Sequence, residues 1–219
     1  MLWYNNAHEI NIDEELLRLL PALKAIRKEF PKACLSVDTY RSEVVQVAFD
    51  LVGDFIVNDI SGGKFDLKMF SKVAELHLPY ILMHTPKKSI DMQENPEYED
   101  VTKEVILFMA EQIQKLKLLG VCDVIIDPGF GFGKSLDHNF ELLNRLDSFK
   151  MFELPIMVGV SRKAMIWKPL SISPESSLNG TTVLNTLALS GGCDILRVHD
   201  VKEASETIKL VQRIKSTGK

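Results

Sequence analysis

Short runs rich in Val, Ile and Leu alternate along the chain with longer stretches in which apolar residues return every three or four positions. The short runs are ACLSVD (33–38), FIVND (55–59), YILMH (80–84), VIID (124–127), PIMVGVS (155–161) and ILRVH (195–199). The longer ones include 13–29, 98–119, 137–149 and 201–214. The first pattern predicts buried strands and the second amphipathic helices. Their alternation predicts parallel strands joined by helical crossovers. No low-complexity segment or linker interrupts the series, so a single domain over 1–219 is expected, with 1–10 an atypical N-terminal extension.

The strand ends carry the second pattern. In order they finish with Asp38, with Asn58 and Asp59, with His84, with Asp127, with Ser161, Arg162 and Lys163, and with Arg197, His199 and Asp200. One polar residue after a strand is ordinarily a turn former or helix cap, and for Asp200 that reading stands. A whole series is different. An open doubly wound sheet gathers ligand groups at its switch point, whereas a (β/α) barrel points the C-terminal ends of all its strands at one mouth. The expected fold is therefore α/β, a TIM-type (β/α)8 barrel, shortened to about six β/α units.

One strand end looks like a nucleotide site. Asp127-Pro-Gly-Phe-Gly-Phe-Gly-Lys-Ser135 reads strand, glycine loop, helix, and its last three residues fit G-x-x-x-x-G-K-[ST]. Pro128 occupies the place of the first glycine, however, and proline offers no N–H to a phosphate cradle. The dinucleotide pattern G-x-G-x-x-G fails as well, because it would need glycine at Lys134. A nucleotide phosphate is thus not what this loop is built for.

Composition narrows the partners. Hydrophobic residues make up 46% and charged residues 26% of the chain, and the net charge is -4, which argues against nucleic acid or an anionic membrane as partner. Cys34, Cys122 and Cys193 are isolated, odd in number and in apolar sequence surroundings, as expected of free thiols in a reducing compartment. No signal peptide or membrane span is apparent, so the expected location is cytoplasmic.

The blocks LSVDTYRSEV, FIVNDISGG, VIIDPGFGFGK, LPIMVGVSRKAM, LNGTTVLNTLAL and DILRVHDVKEA, in this order, resemble the dihydropteroate synthase family from about residue 11 to the end. The resemblance implies a barrel enzyme that joins 6-hydroxymethyl-7,8-dihydropterin diphosphate to p-aminobenzoate, giving 7,8-dihydropteroate and pyrophosphate in folate synthesis. It implies that Asp38, Asn58 and Asp127 bind the pterin, whose amino and ring N–H donors suit short carboxylates and amides. Phe132 would add an apolar wall. Lys163 would lie between the two substrates, Arg197 would cover the pterin face and reach the anion site, and His199 would be its partner there. A guanidinium can stack on a ring and still donate to a diphosphate. Lys163 and Arg197 are the residues expected to act in catalysis. The role of Lys134 stays open.

The reaction ionises a carbon–oxygen bond as diphosphate departs, so cations and Mg²⁺ should lower the barrier. Mg²⁺ is the expected cofactor, with no metal ligand assigned in this chain, and a homodimer through the last helices is the expected assembly. The family's first two strand loops, of the types N-V-T-P-D-S-F and G-G-x-S-[ST]-R-P-G, have no counterpart here. Three readings follow: a piece of a complete synthase, a truncated pterin-binding paralogue without catalysis, or a chain completed by a partner. Without those strands, the segments 33–38 and 195–199 are expected to have open edges. Two smaller departures are Thr85-Pro86-Lys87-Lys88 after His84, and Ala164 where many relatives have serine. A pterin-dependent methyltransferase domain is the rival enzyme class, and the SRK and RVHD blocks speak against it.

Overall fold

The structure, a computed structural model, describes residues 10–86 and 97–217. The expected extension therefore lies outside the described residues except for Ile10, as do Lys87 and Lys88 of the expected pocket wall. Two compact units form, Met1–Met83 with Glu111–Val124 and His84–Ala110 with Ile125–Lys219.

In the first unit, α1 (Ile12–Glu29) starts at Asn11, whose side-chain oxygen accepts from the Glu14 N–H at 2.8 Å. Asp13, Glu14 and Glu15 fill its first turn, where the helix dipole favours negative charge. Near its other end Arg27 donates to the carbonyls of Pro31, Ala33, Val52 and Asp54, tying the end of α1 to that of α2 (Ser42–Val52). Strands β1 (Ser36–Asp38), β2 (Ile56–Asp59) and β3 (Tyr80–Met83) are parallel, with α3 (Met69–Leu76) between the last two. Asp38 stands opposite Asn58, and Asn58 opposite Ile81. Val37, Val57, Tyr80 and Leu82 are buried with Val44, Val45, Ala48 and Val73 of the helices. Strands covered on both faces are apolar nearly throughout, which is why their polar residues wait until the ends.

The second unit contains β4 (Val124–Asp127) from Ile125 onward, α5 (Leu136–Asn144), β5 (Met157–Val158), α6 (Ala164–Leu170), α7 (Leu178–Gly191), β6 (Ile195–Leu196) and α8 (Val201–Thr217). Helix α4 (Val101–Leu118) contributes its first part here. Ile126 bridges Ile156, and β5 pairs with β6, Met157 opposite Ile195 and Val158 opposite Leu196, all parallel. Ile126, Phe130, Leu142, Leu146, Phe149, Ile156 and Val158 form the core.

The strand at 155–161 is shorter than expected because the Lys163 N–H closes a turn on the Val160 carbonyl at 3.1 Å, and Arg162 takes φ 55. The helix expected over 137–149 stops at Asn144, and Leu146–Phe152 tightens into a 3-10 helix. Helices α2, α3 and α6 are short and had not been singled out by periodicity. Among the described residues β1 pairs only with β2, and β6 only with β5, so each keeps the open edge expected of it. Cys34 and Cys122 are exposed rather than enclosed by apolar side chains; Cys193 is buried, which pushes its thiol up to about 12. No helix among the described residues is long and apolar enough to cross a membrane.

Candidate active site

In the first unit the parallel register that sets Asp38 beside Asn58 also puts their side chains on one face, and the Asn58 amide donates to the Asp38 carboxylate at 2.5 Å. The Asn58 amide oxygen is buried and takes no hydrogen bond from the described residues. A buried acceptor left without a donor costs about 1–3 kcal/mol, so such an atom points to a ligand that supplies the missing N–H. Strand alternation sends the next residue, Asp59, the other way. Its carboxylate accepts from Ser61 N–H at 2.7 Å, Gly63 N–H at 2.9 Å and the Tyr80 hydroxyl at 2.7 Å. Burial raises the Asp59 carboxyl above the usual range, and these donors pull against that rise. Asp59 is thereby occupied in shaping the turn after β2, and Asn58 is the residue left to bind. Next to Asp38, Thr39 donates to the buried Glu15 at 2.7 Å, and Arg41 pairs with the same carboxylate, bracing the end of β1 against α1.

In the second unit Asp127 ends β4, buried, with its carboxylate accepting from Gly129 N–H at 2.8 Å. Desolvation pushes this carboxyl up; Lys163, the Gly129 N–H, Lys134 and Arg197 each hold it back down. Gly129 has φ +74, and a Cβ there would lie 2.0 Å from the His84 carbonyl oxygen. Only glycine lets the loop pass so close to the residue after β3. Lys134 settles the question of a nucleotide cradle. Its buried ammonium turns back into its own loop, donating to the carbonyls of Gly129 at 2.8 Å and Phe132 at 3.0 Å and to that of His84 at 3.4 Å. Asn139 holds the loop from the far side, accepting from Gly131 N–H at 2.6 Å and donating to the Ser135 carbonyl at 2.6 Å. Ser135 and His138 close a capping box on α5.

Lys163 crosses from the turn after β5 to this loop. Its side chain lies against Gly131, where a Cβ would stand 3.1 Å from its Cδ; its ammonium donates to the Phe130 carbonyl and sits 4.8 Å from the Phe132 ring centroid. Phe132 thus provides an aromatic face for a cation, worth about 0.5–1 kcal/mol where water has access. Loss of solvent brings the Lys163 ammonium down to about 8, against the pull of Asp127 and with repulsion from Arg197 adding to the fall. Ser161 Oγ lies 2.9 Å from His199 Nδ1 and accepts the His199 N–H at 3.2 Å. Beside them Arg162 forks onto Asp200, at 3.1 Å from Nε and 2.5 Å from the terminal nitrogen. The Asp200 carbonyl accepts the Ala204 N–H that starts α8, so Asp200 begins the helix as expected while its carboxylate has a further task. Arg197 is exposed and follows β6, with its N–H on the Val158 carbonyl at 2.9 Å.

The second unit therefore brings Asp127, Phe132, Lys163, Arg197 and His199 onto neighbouring strand ends, and the first brings Asp38 and Asn58 together. The Ser161–His199 contact, the Arg162–Asp200 fork and the Lys134 cage were not foreseen. The SRK and RVHD blocks named their residues without showing that they pair rung by rung.

In the first unit a carboxylate lies beside an amide with an unmet acceptor, and in the second a buried carboxylate lies beside lysine and arginine side chains at the strand ends. Comparison with known proteins gives the class: the model of the pterin binding enzyme family matches residues 4–199. The chain is 40% identical to dihydropteroate synthase of Escherichia coli K12 over 94% of its own length and 73% of that protein's, and 35% identical to that of Clostridium beijerinckii over 94% and 74%. The Yersinia pestis dihydropteroate synthase solved with a sulfonamide drug complex superimposes with a TM-score of 0.91 at 33% identity, covering 97% of this chain and 77% of that one. The Xanthomonas albilineans enzyme in complex with 7,8-dihydropteroate gives 0.86 at 32% identity, over 95% and 78%. The chain belongs to the dihydropteroate synthase family of pterin binding enzymes, and its fold class is the TIM-type barrel of that family.

Proposed function

We propose that the chain condenses 6-hydroxymethyl-7,8-dihydropterin diphosphate with p-aminobenzoate, forming 7,8-dihydropteroate and pyrophosphate. The observation that carries this reading is the buried, unmet acceptor of Asn58 beside Asp38. A pterin presents a row of N–H donors along one edge, and an acceptor and a carboxylate in register on adjacent strands suit such an edge. Asp127, buried and flanked by cations, is the second carboxylate assigned to the pterin.

Bond cleavage leaves negative charge on the departing diphosphate and positive charge on the pterin methylene. Arg197 and His199 are assigned to the diphosphate and Lys163 to the space between the two substrates, with Lys163 and Arg197 acting on the reacting groups. The p-aminobenzoate nitrogen then attacks the methylene carbon and gives up a proton. Phe132 is assigned to the aromatic substrate or to the wall that orients Lys163, and the 4.8 Å contact favours the second. No three His, Cys, Asp or Glu side chains gather to hold a metal among the described residues. Mg²⁺ is proposed to arrive with the diphosphate, as is usual where phosphates provide most of its ligands.

A homodimer is proposed through α7 and α8, where Val183 and Leu187, and Leu210 and Ile214, stand exposed at helical spacing. A cytoplasmic location fits a soluble-substrate enzyme with exposed Cys34 and Cys122. The test is turnover: the purified chain with both substrates and Mg²⁺, with pyrophosphate and dihydropteroate followed together. Equal release of both, abolished in Lys163→Ala, supports the reading. Tight dihydropterin binding without either product would make the chain the non-catalytic relative.

A further inference from the structure

Lys134 is the one buried cation of the glycine loop for which neither the motif nor the proposed chemistry has a use. It is 9% exposed, and its ammonium meets three main-chain carbonyls, from His84, Gly129 and Phe132, at 3.4, 2.8 and 3.0 Å. Gly129 is the joint of the arrangement. Its N–H goes to the Asp127 carboxylate at 2.8 Å while its carbonyl goes to Lys134, and its Cα passes so close to His84 that no side chain fits. A single peptide segment thus couples the lysine to the carboxylate.

We propose that Lys134 is a positioning residue for the pterin carboxylate: by tying the His84 carbonyl to both sides of the glycine loop it fixes the Gly129 N–H, and through it the direction and charge of Asp127. This rests on the reading of Asp127 as a pterin ligand. The groups acting electrostatically on Asp127 are Lys163 from the turn before α6, Lys134 from its own loop and Arg197 after β6, while Cys193 before β6 feels its charge in return. Lys163 and Arg197 also face the reacting groups, so their contribution changes when diphosphate binds and leaves. Lys134 is bound to the backbone, and its contribution stays constant through the cycle.

The sign of the pH effect follows. Burial already raises the Asp127 carboxyl, and the cations restrain it. Removing one of them raises it further, so the carboxylate is lost at a higher pH and the acid limb of pterin affinity moves up. The experiment measures the equilibrium dissociation constant of 6-hydroxymethyl-7,8-dihydropterin from about pH 4 to 8 for the wild-type chain, Lys134→Met and Lys134→Arg, with thermal unfolding alongside. The ligand's own titration is common to all three. The expected result is an acid limb displaced to higher pH in Lys134→Met and close to wild type in Lys134→Arg. Should Lys134→Met not fold, Lys134→Gln, which keeps N–H donors for the carbonyls without the charge, carries the same test. A variant that binds more weakly by the same factor at every pH, with its limb unmoved, would make Lys134 a structural brace only and overturn the proposal. A wild-type chain that binds no dihydropterin at any pH would instead sink the reading of the site itself.

Discussion

Replacing Gly129 by alanine tests the geometry of the site at its tightest point. The added Cβ would stand 2.0 Å from the His84 carbonyl oxygen and 3.1 Å from its carbon, so the obstacle is main chain and cannot swing aside. The φ of +74 adds about 1–2 kcal/mol for an L side chain in the left-handed region. Relief of the clash requires the loop to move off His84, which breaks one or both of the charge-assisted bonds made by Gly129, to Asp127 and from Lys134. At about 1.5–3 kcal/mol each, and with the backbone cost added, the total comes to roughly 2.5–8 kcal/mol. For a chain of this length that lowers the midpoint of thermal unfolding by about 5 °C or more. Calorimetry gives the midpoint and dihydropterin titration the affinity; both should fall. Gly131→Ala is the control, because its Cβ would meet the flexible Lys163 side chain, with Cδ at 3.1 Å. It should cost only about 1–2 kcal/mol of stability, for its own φ of +81, and show its larger effect on turnover. A Gly129→Ala chain that unfolds within about 2 °C of wild type and binds dihydropterin equally well would refute the reasoning.

Other outcomes follow from the same geometry. Asn58→Leu loses the bond to Asp38 but also removes the unmet acceptor; the two effects, each about 1–3 kcal/mol, nearly cancel, so ligand-free stability by denaturant titration should change little while dihydropterin affinity collapses. Because Lys163 is held down to about 8, its ammonium is lost as pH rises through that value, and turnover should decline on a basic limb near pH 8; Lys163→Arg should move that limb upward even where it lowers the maximal rate. The same depression means that the unfolded chain binds more protons than the folded one from about pH 8 up to the ordinary lysine range, so this group's contribution to stability improves with pH there while activity falls. Leu187→Glu or Leu210→Glu places a charge on the exposed apolar faces of α7 and α8 and should shift sedimentation from dimer to monomer without lowering dihydropterin affinity.

Much of this was legible in the chain. Strands buried on both faces leave polar residues only at their ends, so Asp38, Asn58, Asp127 and Lys163 announced themselves by breaking apolar runs. Pro128 ruled out a phosphate cradle before any coordinates were needed, and Lys134 turning inward agrees. What could not be read were contacts between residues distant in sequence. Lys134 reaches His84 across 50 positions, and Ser161 reaches His199 across 38. No local period encodes such separations. The division of labour at Asn58-Asp59 was equally hidden, since it depends on which residue finds Tyr80. Strand lengths at 155–161 and 195–199 failed for a related reason: β-rich composition continues to the polar turn, but pairing stops earlier, at Val158 and Leu196.

The most direct test is equilibrium binding of 6-hydroxymethyl-7,8-dihydropterin to wild type, Asn58→Leu and Asp127→Asn, each shown folded by circular dichroism. As each residue is assigned to the pterin, each variant alone should bind at least about tenfold more weakly, the loss expected of one charge-assisted or buried hydrogen bond. Wild-type affinity in either variant would remove that residue from the site and contradict the account.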